Sequence, residues 1–170
     1  MTTIIKGKVW KFGDNINTDV IIPGKYLTIR DPQQMASHTF EPIRSGFAKQ
    51  VSKGDIIVGG ANFGSGSSRE EAPFVLKTLG FAAIIAESFA RIFYRNAFNL
   101  GIPLLELRGT SNYFNEGDII EIYFEDGLIK NLTQNTEFQS TKMPSFLMDL
   151  IRAGGAIPAV KIRITQARSK

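Results

Sequence analysis

The stretch GDIIVGGANFGSGSSREEAPFVLKTLG, residues 54–80, contains a predicted strand, a polar glycine-rich loop and a predicted helix in direct succession. The apolar run at 54–60 is bounded by glycines, which is typical of a strand buried on both faces. Apolar residues at 72, 75, 76 and 79 then recur at helical spacing, and Gly80 stands where a glycine commonly ends a helix. The loop at 62–73 therefore lies where a strand meets a helix N-terminus, a common ligand crevice of open α/β sheets.

Two further strands and one further helix are predicted after this stretch. AAIIAE (82–87) and IPLLEL (102–107) are short apolar runs, and SFARIFYRNAFNLG (88–101) between them has helical spacing. Ser88 is the expected N-cap of this helix. Its apolar stripe is expected to contain Phe89, Ile92, Phe93, Ala97 and Leu100. Alternating strands and helices with short links predict a parallel sheet covered by helices.

The two ends of the chain have different patterns. IIKGKVWKF (4–12) alternates apolar and polar residues like a half-buried strand, and a loop rich in Asp, Asn and Gly follows at 13–27. Residues 117–140 indicate a β-meander, and 144–157 indicate a final helix that two glycines end. We therefore expect a single α/β domain over residues 1–170, with a parallel sheet core, flanking helices and a C-terminal β-meander plus helix.

The composition is that of a globular protein, with 43% hydrophobic and 21% charged residues among 170. The net charge of +4 comes from basic residues scattered singly along the chain, which argues against a nucleic-acid surface. The N-terminus alternates like a strand rather than a leader, and no apolar run approaches the ~18 residues that cross a bilayer. We expect a cytoplasmic protein with no membrane or nucleic-acid partner.

Cysteine is absent from the sequence, and His38 is its only histidine. The chain alone cannot assemble a thiolate zinc site, a disulfide framework or an iron–sulfur cluster. His38 follows Ser37 in a polar stretch, which favours a surface or capping histidine over a catalytic base. We expect no metal on this chain, so that any metal chemistry would come from another chain.

The loop residues favour an anionic ligand. Gly64 and Gly66 allow positive φ or close approach of the backbone, and unpaired N–H groups at a helix start point at an anion. Arg69 lies within about a turn of the helix start, where a cation gains nothing from the helix dipole, so we expect it to meet a negative group. The loop lacks a Gly-Lys-Ser/Thr ending and a third glycine, which excludes a phosphate loop. A small carboxylate fits Arg69 better.

A purely structural interpretation of the loop stays open on these residues alone. Ser68 and Glu71 have capping-box spacing, so Ser68 is a candidate N-cap. Pro73 lacks a donor and favours a helix that begins nearer to it. In this interpretation the glycines form a turn and Arg69 is a surface residue.

Three motifs carry a resemblance to a known family: KFGDNINTDVIIPGKYL (11–27), NFGSGSSRE (62–70) and IIAESFARIFYRNAFNLGIPLLE (84–106). Together they closely resemble the small subunits of 3-isopropylmalate dehydratase, and hence the swivelling fourth domain of aconitase. The resemblance runs from about residue 6 to about residue 106, with the final helix also in place. It implies a swivelling β/β/α domain.

The resemblance also implies that this chain is half of an enzyme. In this family a large subunit carries a cysteine-bound four-iron four-sulfur cluster and completes the active site in a heterodimer or heterotetramer. The implied reaction isomerises 2- and 3-isopropylmalate through 2-isopropylmaleate, by dehydration and rehydration, in leucine biosynthesis. A homoaconitase-type subunit or a related malate-derivative hydro-lyase, a non-catalytic carboxylate-binding module and a basic nucleic-acid-associated domain stay as alternatives.

By the same resemblance, Ser67 in its alkoxide form is the base that removes a proton α to a carboxylate. A serine hydroxyl is neutral at pH 7, so this role requires N–H donors around its oxygen. The candidate donors are the loop amides of Gly64, Ser65 and Gly66. Arg69 is implied to bind a substrate carboxylate, and Ser68 is also assigned to substrate binding. Asp19 is placed at the site, either orienting an arginine or capping its own loop.

Substrate choice in this family lies in the segment after Tyr26 and Leu27. Homoaconitase-type subunits resemble YLRT there, with an arginine for an extra carboxylate, whereas this chain has Thr28 and Ile29. A buried carboxylate without a cation is costly, so the resemblance favours an apolar isopropyl group at this pocket. Arg30 is the next residue, and a shift of the segment would bring its charge in. Ser65 departs from the GCGSS of many relatives but keeps size and polarity.

Overall fold

A computed structural model describes residues 3–168, which build one seven-stranded mixed sheet. The strands are β1 Ile4–Lys11, β2 Ile56–Val58, β3 Ala83–Ala86, β4 Leu104–Glu106, β5 Ile119–Tyr123, β6 Leu128–Asn131 and β7 Thr136–Gln139. Their order is β4-β3-β2-β1-β5-β6-β7. Strands β1 to β4 pair in parallel, whereas β5, β6 and β7 extend the sheet from β1 in antiparallel pairs. Strand β1 therefore joins the parallel half of the sheet to the meander.

The helices connect and cover these strands. They are α1 Thr18–Ile21, α2 Pro32–Ala36, α3 Glu71–Leu79, α4 Arg91–Asn99, α5 Thr110–Tyr113, α6 Ser145–Ala153 and α7 Ala156–Arg168, with 3₁₀ turns at Gly24–Tyr26 and Phe47–Lys49. None of the helices within residues 3–168 has both the length and the apolar character needed to cross a membrane.

The parallel strands send alternate side chains into two separate cores. In β2, Ile57 packs in the core on the helix side, while Ile56 and Val58 pack in the core on the meander side. Strand β3 divides in the same way, with Ile84 on the helix side and Ile85 on the meander side. Successive residues of a strand point to opposite faces, so a strand covered on both faces must be apolar throughout.

The meander curls back over the second of these cores. Ile120, Ile122 and Ile129 face the same cluster as Leu105 of β4. Beyond β7, the amide of Thr141 lies 3.4 Å from the carbonyl of Glu106, so the two edge strands of the sheet approach each other. The curl encloses the second core between the two halves of the sheet.

A buried carboxylate fastens the start of the meander. Asp118 is 3% exposed, and its Oδ2 accepts hydrogen bonds from the Asn131 side chain (2.7 Å), the Gln134 side chain (2.5 Å) and the Asn115 amide (2.8 Å). Burial raises the pKa of Asp118, but these donors together outweigh burial and hold the pKa below its usual value. The carboxylate is therefore ionised at neutral pH, with three donors on its Oδ2.

The α/β class, the parallel strands and the meander confirm the predicted architecture, but helix α4 differs in detail. It begins at Arg91 with Ala90 as N-cap, so the prediction that Ser88 caps it is wrong. Ile92 is 51% exposed and does not belong to the apolar stripe, while Phe93 and Ala97 are buried as predicted. The buried face of α4 therefore contains Phe93, Ala97 and Phe98, and Ile92 lies outside it.

The C-terminal helix also differs from the prediction. The expected helix at 144–157 ends at Ala153, where Gly154 adopts φ +83°, and a second helix, α7, follows. From Val160 to Thr165 apolar and polar residues alternate, which is the period of a strand rather than of an amphipathic helix. This pattern gave no helical signal.

Candidate active site

Two loops lie side by side at the carboxyl ends of β1 and β2. We call residues 62–69 the site loop and residues 17–19 the Asn-Thr-Asp turn. The amide of Gly64 donates to the Ile16 carbonyl (2.7 Å), and the amide of Thr18 donates to the Ser65 carbonyl (2.8 Å). Asn17 and Ser65 form an isolated parallel bridge. Backbone hydrogen bonds therefore hold the two motifs in a fixed register.

Ser88 fastens the other side of the site loop. Its Oγ accepts a hydrogen bond from the Asn62 amide (2.9 Å), and its carbonyl accepts one from the Phe63 amide (3.0 Å). The Ala90 amide then donates to the Phe63 carbonyl (2.9 Å). Ser88 thus positions the loop instead of capping α4, and buried Phe63 anchors the loop in the helix-side core.

Two glycines of the site loop are required by its left-handed backbone, and one of them, Gly64, also by close packing. Gly64 has φ +79°, and a Cβ placed on it would lie 2.1 Å from Cγ of Phe93. Gly66 has φ +95°, and a Cβ there would lie 3.4 Å from Oγ1 of Thr18. Left-handed backbone favours glycine, so the sequence of the loop follows from its shape.

Ser67 is exposed at the tip of the site loop. Its Oγ lies 3.2 Å from Oγ1 of Thr18, which is only 2% exposed. Thr18 Oγ1 also lies 3.2 Å from the carbonyl oxygen of Ser67. Sequence reasoning missed Thr18, although its place beside Asp19 in the Asn-Thr-Asp motif was a signal that could have found it.

Some amides of the site loop donate to backbone carbonyls and not to the Ser67 oxygen as predicted. The Gly64 amide donates to Ile16, so the prediction that it surrounds the Ser67 oxygen is wrong. The Arg69 amide donates to the Ser67 carbonyl (2.8 Å). These bonds shape the loop, and the roles of the Ser65 and Gly66 amides stay predictions.

Arg69 extends from the end of the site loop to the Asn-Thr-Asp turn. Its Nη1 donates to Oδ1 of Asp19 and lies 3.5 Å from the Ile22 carbonyl. A Cβ placed on Gly24 would lie 3.4 Å from Nη2, so that segment passes directly over the guanidinium. The Arg69 side chain is 23% exposed and that of Asp19 63%. The ion pair fixes where the guanidinium points.

Helix α3 begins at Glu71 without a side-chain cap. Its N-cap is Glu70, so the capping box between Ser68 and Glu71 is not formed. Pro73 is the third helical residue, where the missing N–H would have had no partner in the helix. Ser68 is therefore exposed beside Ser67 rather than used as a cap.

The segment predicted to select the substrate follows the 3₁₀ turn at Gly24–Tyr26. Thr28 and Arg30 are exposed, whereas Ile29 is half-buried and packs against the helix-side core. Ile29 therefore anchors the segment, and the two exposed side chains are the ones available to a ligand.

His38 stacks on the Tyr26 ring, with the ring centroids 3.7 Å apart and the planes at 8°. Nδ1 of His38 also lies 3.4 Å from Oε2 of Glu41, three residues along the chain. These contacts support a structural role for His38. Within residues 3–168, no group of three or more His, Cys, Asp and Glu side chains is placed to hold a metal ion.

The fold and the site loop define a class of protein, the aconitase C-terminal domain, whose family model matches residues 48–109. The isopropylmalate/citramalate isomerase small subunit of Methanocaldococcus jannaschii is 49% identical over 168 residues, covering 99% of this chain and 100% of that protein. The 3-isopropylmalate dehydratase small subunit of Wolinella succinogenes is 52% identical over 163 residues, covering 96% and 97%. The chain belongs to the family of 3-isopropylmalate dehydratase small subunits.

A solved structure agrees with this membership. The crystal structure of a 3-isopropylmalate dehydratase from Methanocaldococcus jannaschii superposes with a TM-score of 0.92 at 41% identity. The match covers 99% of this chain and 100% of that one. The family resemblance predicted from the three motifs is thereby confirmed.

Proposed function

We propose that this chain is the small subunit of a 3-isopropylmalate dehydratase. With a large subunit, in a heterodimer or heterotetramer, it isomerises 2- and 3-isopropylmalate through 2-isopropylmaleate in leucine biosynthesis. The observation that carries the proposal is the pairing of Ser67 with Thr18 and of Arg69 with Asp19 on one rigid pair of loops. This geometry occurs in a chain about half identical to the named small subunits over nearly its full length.

Arg69 binds one carboxylate of the substrate in this proposal. Within the described residues, the Arg69 side chain donates hydrogen bonds only from Nη1, to Asp19 and to the Ile22 carbonyl. Its Nε and Nη2 are therefore available to the ligand. A guanidinium held in one orientation loses little entropy when it binds a carboxylate through two donors. Asp19 is therefore a positioning residue, and its contact supports the predicted role of orienting an arginine.

Ser67 removes and returns the proton α to that carboxylate. Ser67 and Arg69 are two residues apart in the site loop, so a carboxylate held by Arg69 would bring its α C–H toward Ser67 Oγ. Ser67 is exposed in this chain, and a strong base in water is quenched by solvent. A second surface must therefore cover Ser67, and we assign that surface to the large subunit.

The sequence contains no cysteine, so this chain has no thiolate with which to hold an iron–sulfur cluster. We place the four-iron four-sulfur cluster on the large subunit, where it would supply the Lewis acid for the substrate hydroxyl. On this chain, the tasks are to hold the carboxylate, to hold the proton at Ser67 Oγ and to select the side chain of the substrate.

A second substrate, citramalate, is favoured by one observation. The Methanocaldococcus jannaschii relative is named an isopropylmalate/citramalate isomerase subunit. Citramalate carries a methyl group in place of isopropyl, and Thr28 offers an uncharged surface for either group. Neither substrate needs a cation there, unlike homoaconitate.

Reconstitution with the large subunit tests the proposal. The isolated chain should be inactive, and the mixture should isomerise 2-isopropylmalate. Ser67→Ala should lower kcat roughly 100- to 10,000-fold with assembly intact. The control Ser145→Ala, which replaces an exposed serine of α6, should leave kcat unchanged. Arg69→Lys should raise KM roughly 10- to 100-fold, because the fork of donors is lost.

Three outcomes would contradict the proposal. Activity of the isolated chain would remove the need for a partner. Near-normal kcat of Ser67→Ala would remove the base role. A higher kcat/KM for homoaconitate than for isopropylmaleate or methylmaleate would show that the interpretation of Thr28 and Ile29 is wrong.

A further inference from the structure

The buried hydroxyl of Thr18 is the group that meets Ser67 Oγ, and its surroundings fix its position. The Thr18 amide donates to the Ser65 carbonyl, the whole residue is 2% exposed, and Gly66 leaves room beside Oγ1. Asn17 caps α1 by accepting a hydrogen bond from the Val20 amide (2.9 Å), so the backbone of Thr18 is held as well. A β-branched side chain in a helix has little freedom at χ1. Only the hydroxyl hydrogen is free to rotate.

That hydrogen has two acceptors at equal distance. Thr18 Oγ1 lies 3.2 Å from the Ser67 carbonyl and 3.2 Å from Ser67 Oγ. A hydroxyl donates one hydrogen bond and accepts two. For a neutral Ser67 the two distances fit an arrangement in which Ser67 donates to Thr18 Oγ1 and Thr18 donates to the Ser67 carbonyl. When Ser67 is an alkoxide, the Thr18 proton can turn to Ser67 Oγ without movement of any heavy atom.

We propose that Thr18 is a positioning residue whose hydroxyl turns toward Ser67 Oγ when that oxygen is anionic and back when it is protonated. This inference rests on the proposed function, since it needs Ser67 to act as the base. A hydrogen bond donated to a charged group favours the charged form. Because the donor is already buried and oriented, it stabilises the alkoxide without the reorganisation that water would need.

The proton balance of the step is closed within the site. In the forward direction the alkoxide of Ser67 takes the α proton, and the C–H electron pair forms the double bond as the C–O bond breaks. The hydroxide leaves with the C–O electron pair and would be accepted by the Lewis acid that we assign to the large subunit. The new Ser67 O–H then donates to Thr18, whose own proton returns to the Ser67 carbonyl. In the hydration direction Ser67 gives the proton back to carbon, and Thr18 turns to the regenerated alkoxide.

The test uses the complex reconstituted with the large subunit. Thr18→Val keeps the shape of the side chain and removes the hydroxyl, and should lower kcat at neutral pH roughly 10- to 100-fold, the value of a hydrogen bond to a charged group. KM should stay within about twofold, because Thr18 acts on the proton transfer rather than on substrate binding. Without its donor the alkoxide forms less readily, so the acid limb of the kcat profile should move to higher pH.

Two further variants separate this role from a structural one. Thr18→Ser restores the hydroxyl and should return kcat and the pH profile most of the way to wild type. Thr110→Val makes the same chemical change at a fully buried threonine that donates to the Gly59 carbonyl (2.7 Å), and should leave the pH profile unmoved. If Thr18→Val folds poorly, Thr18→Ala provides the same readout without the added methyl contact.

The outcomes distinguish this inference from the proposed function. If Ser67→Ala is inactive but Thr18→Val keeps the wild-type kcat and pH profile, the role of Thr18 is overturned and the base assignment stands. A lower kcat with an unmoved acid limb, or no recovery in Thr18→Ser, also overturns it. If Ser67→Ala is active, the base assignment itself fails.

Discussion

The substitution Gly64→Ala tests whether the site loop is held by close packing against α4. Gly64 has φ +79°, and a Cβ there would lie 2.1 Å from Cγ and 2.5 Å from Cβ of Phe93. Both atoms belong to the first part of a buried side chain, so they cannot move without shifting the helix backbone. The substitution therefore adds a packing conflict to the cost of a left-handed backbone.

The structure offers a control that separates these two costs. Gly46 has φ +72°, and a Cβ placed on it would meet no atom within 4 Å. Gly46→Ala should cost about 1–2 kcal/mol, the penalty of left-handed backbone alone. Gly64→Ala should cost about 1–3 kcal/mol more, the usual range for overpacking a core. Gly117, at φ +88° and equally unobstructed, provides a second control.

Urea unfolding of the isolated chain measures the difference. Trp10 is the only tryptophan and is 8% exposed, so its fluorescence reports loss of the helix-side core. Circular dichroism should give the same midpoint if unfolding is two-state. Equal losses for Gly64→Ala and Gly46→Ala would refute the packing argument, because only the backbone term is common to both.

Three further predictions concern other parts of the chain. Asp118→Asn should lower the free energy of unfolding by about 1–3 kcal/mol at pH 7. Folding lowers the pKa of Asp118, so the stability advantage of the wild type should be complete above the unfolded-state pKa of about 3.9 and should vanish as the pH falls further. Urea titrations at several pH values check this. Trp10→Phe removes the 2.7 Å hydrogen bond to buried Asp55 and should lower the free energy of unfolding by about 1–3 kcal/mol, measured by circular dichroism. Asp19→Asn should raise KM of the reconstituted enzyme up to about fivefold with kcat unchanged, because it loosens Arg69 through a solvent-exposed pair.

Much of the sheet could be predicted because its signals are local. The runs at 54–60, 82–87 and 102–107 are mostly apolar, and each contains a strand whose apolar residues are buried. The pairing of β1 with both β2 and β5 is not local, since those partners are about 50 and about 115 residues away. Periodicity describes one strand at a time and contains no information about its neighbours.

The candidate site, like the sheet, could be predicted from the sequence only in part. The resemblance of the motifs pointed to Ser67, Arg69 and Asp19, but the hydrogen bond between Thr18 and Ser67 joins residues 49 positions apart. Ser88 shows the same limit, because its position before an amphipathic run predicted a cap while its Oγ instead serves the Asn62 amide. A small polar residue has several possible partners, and only the fold decides among them.

The distribution of burial explains how the two loops of the site can be held rigidly while the active site still needs a second subunit. The supporting groups Thr18 and Phe63 are buried, whereas Ser67, the proposed base, and Asp19, which positions Arg69, face solvent. Preorganised donors stabilise charge strongly only where water is excluded. In the isolated chain Thr18 therefore orients Ser67 without making it a strong base. Covering the loop with a second subunit would exclude water from a donor that is already in place, so that assembly, rather than rearrangement of this chain, would activate the serine.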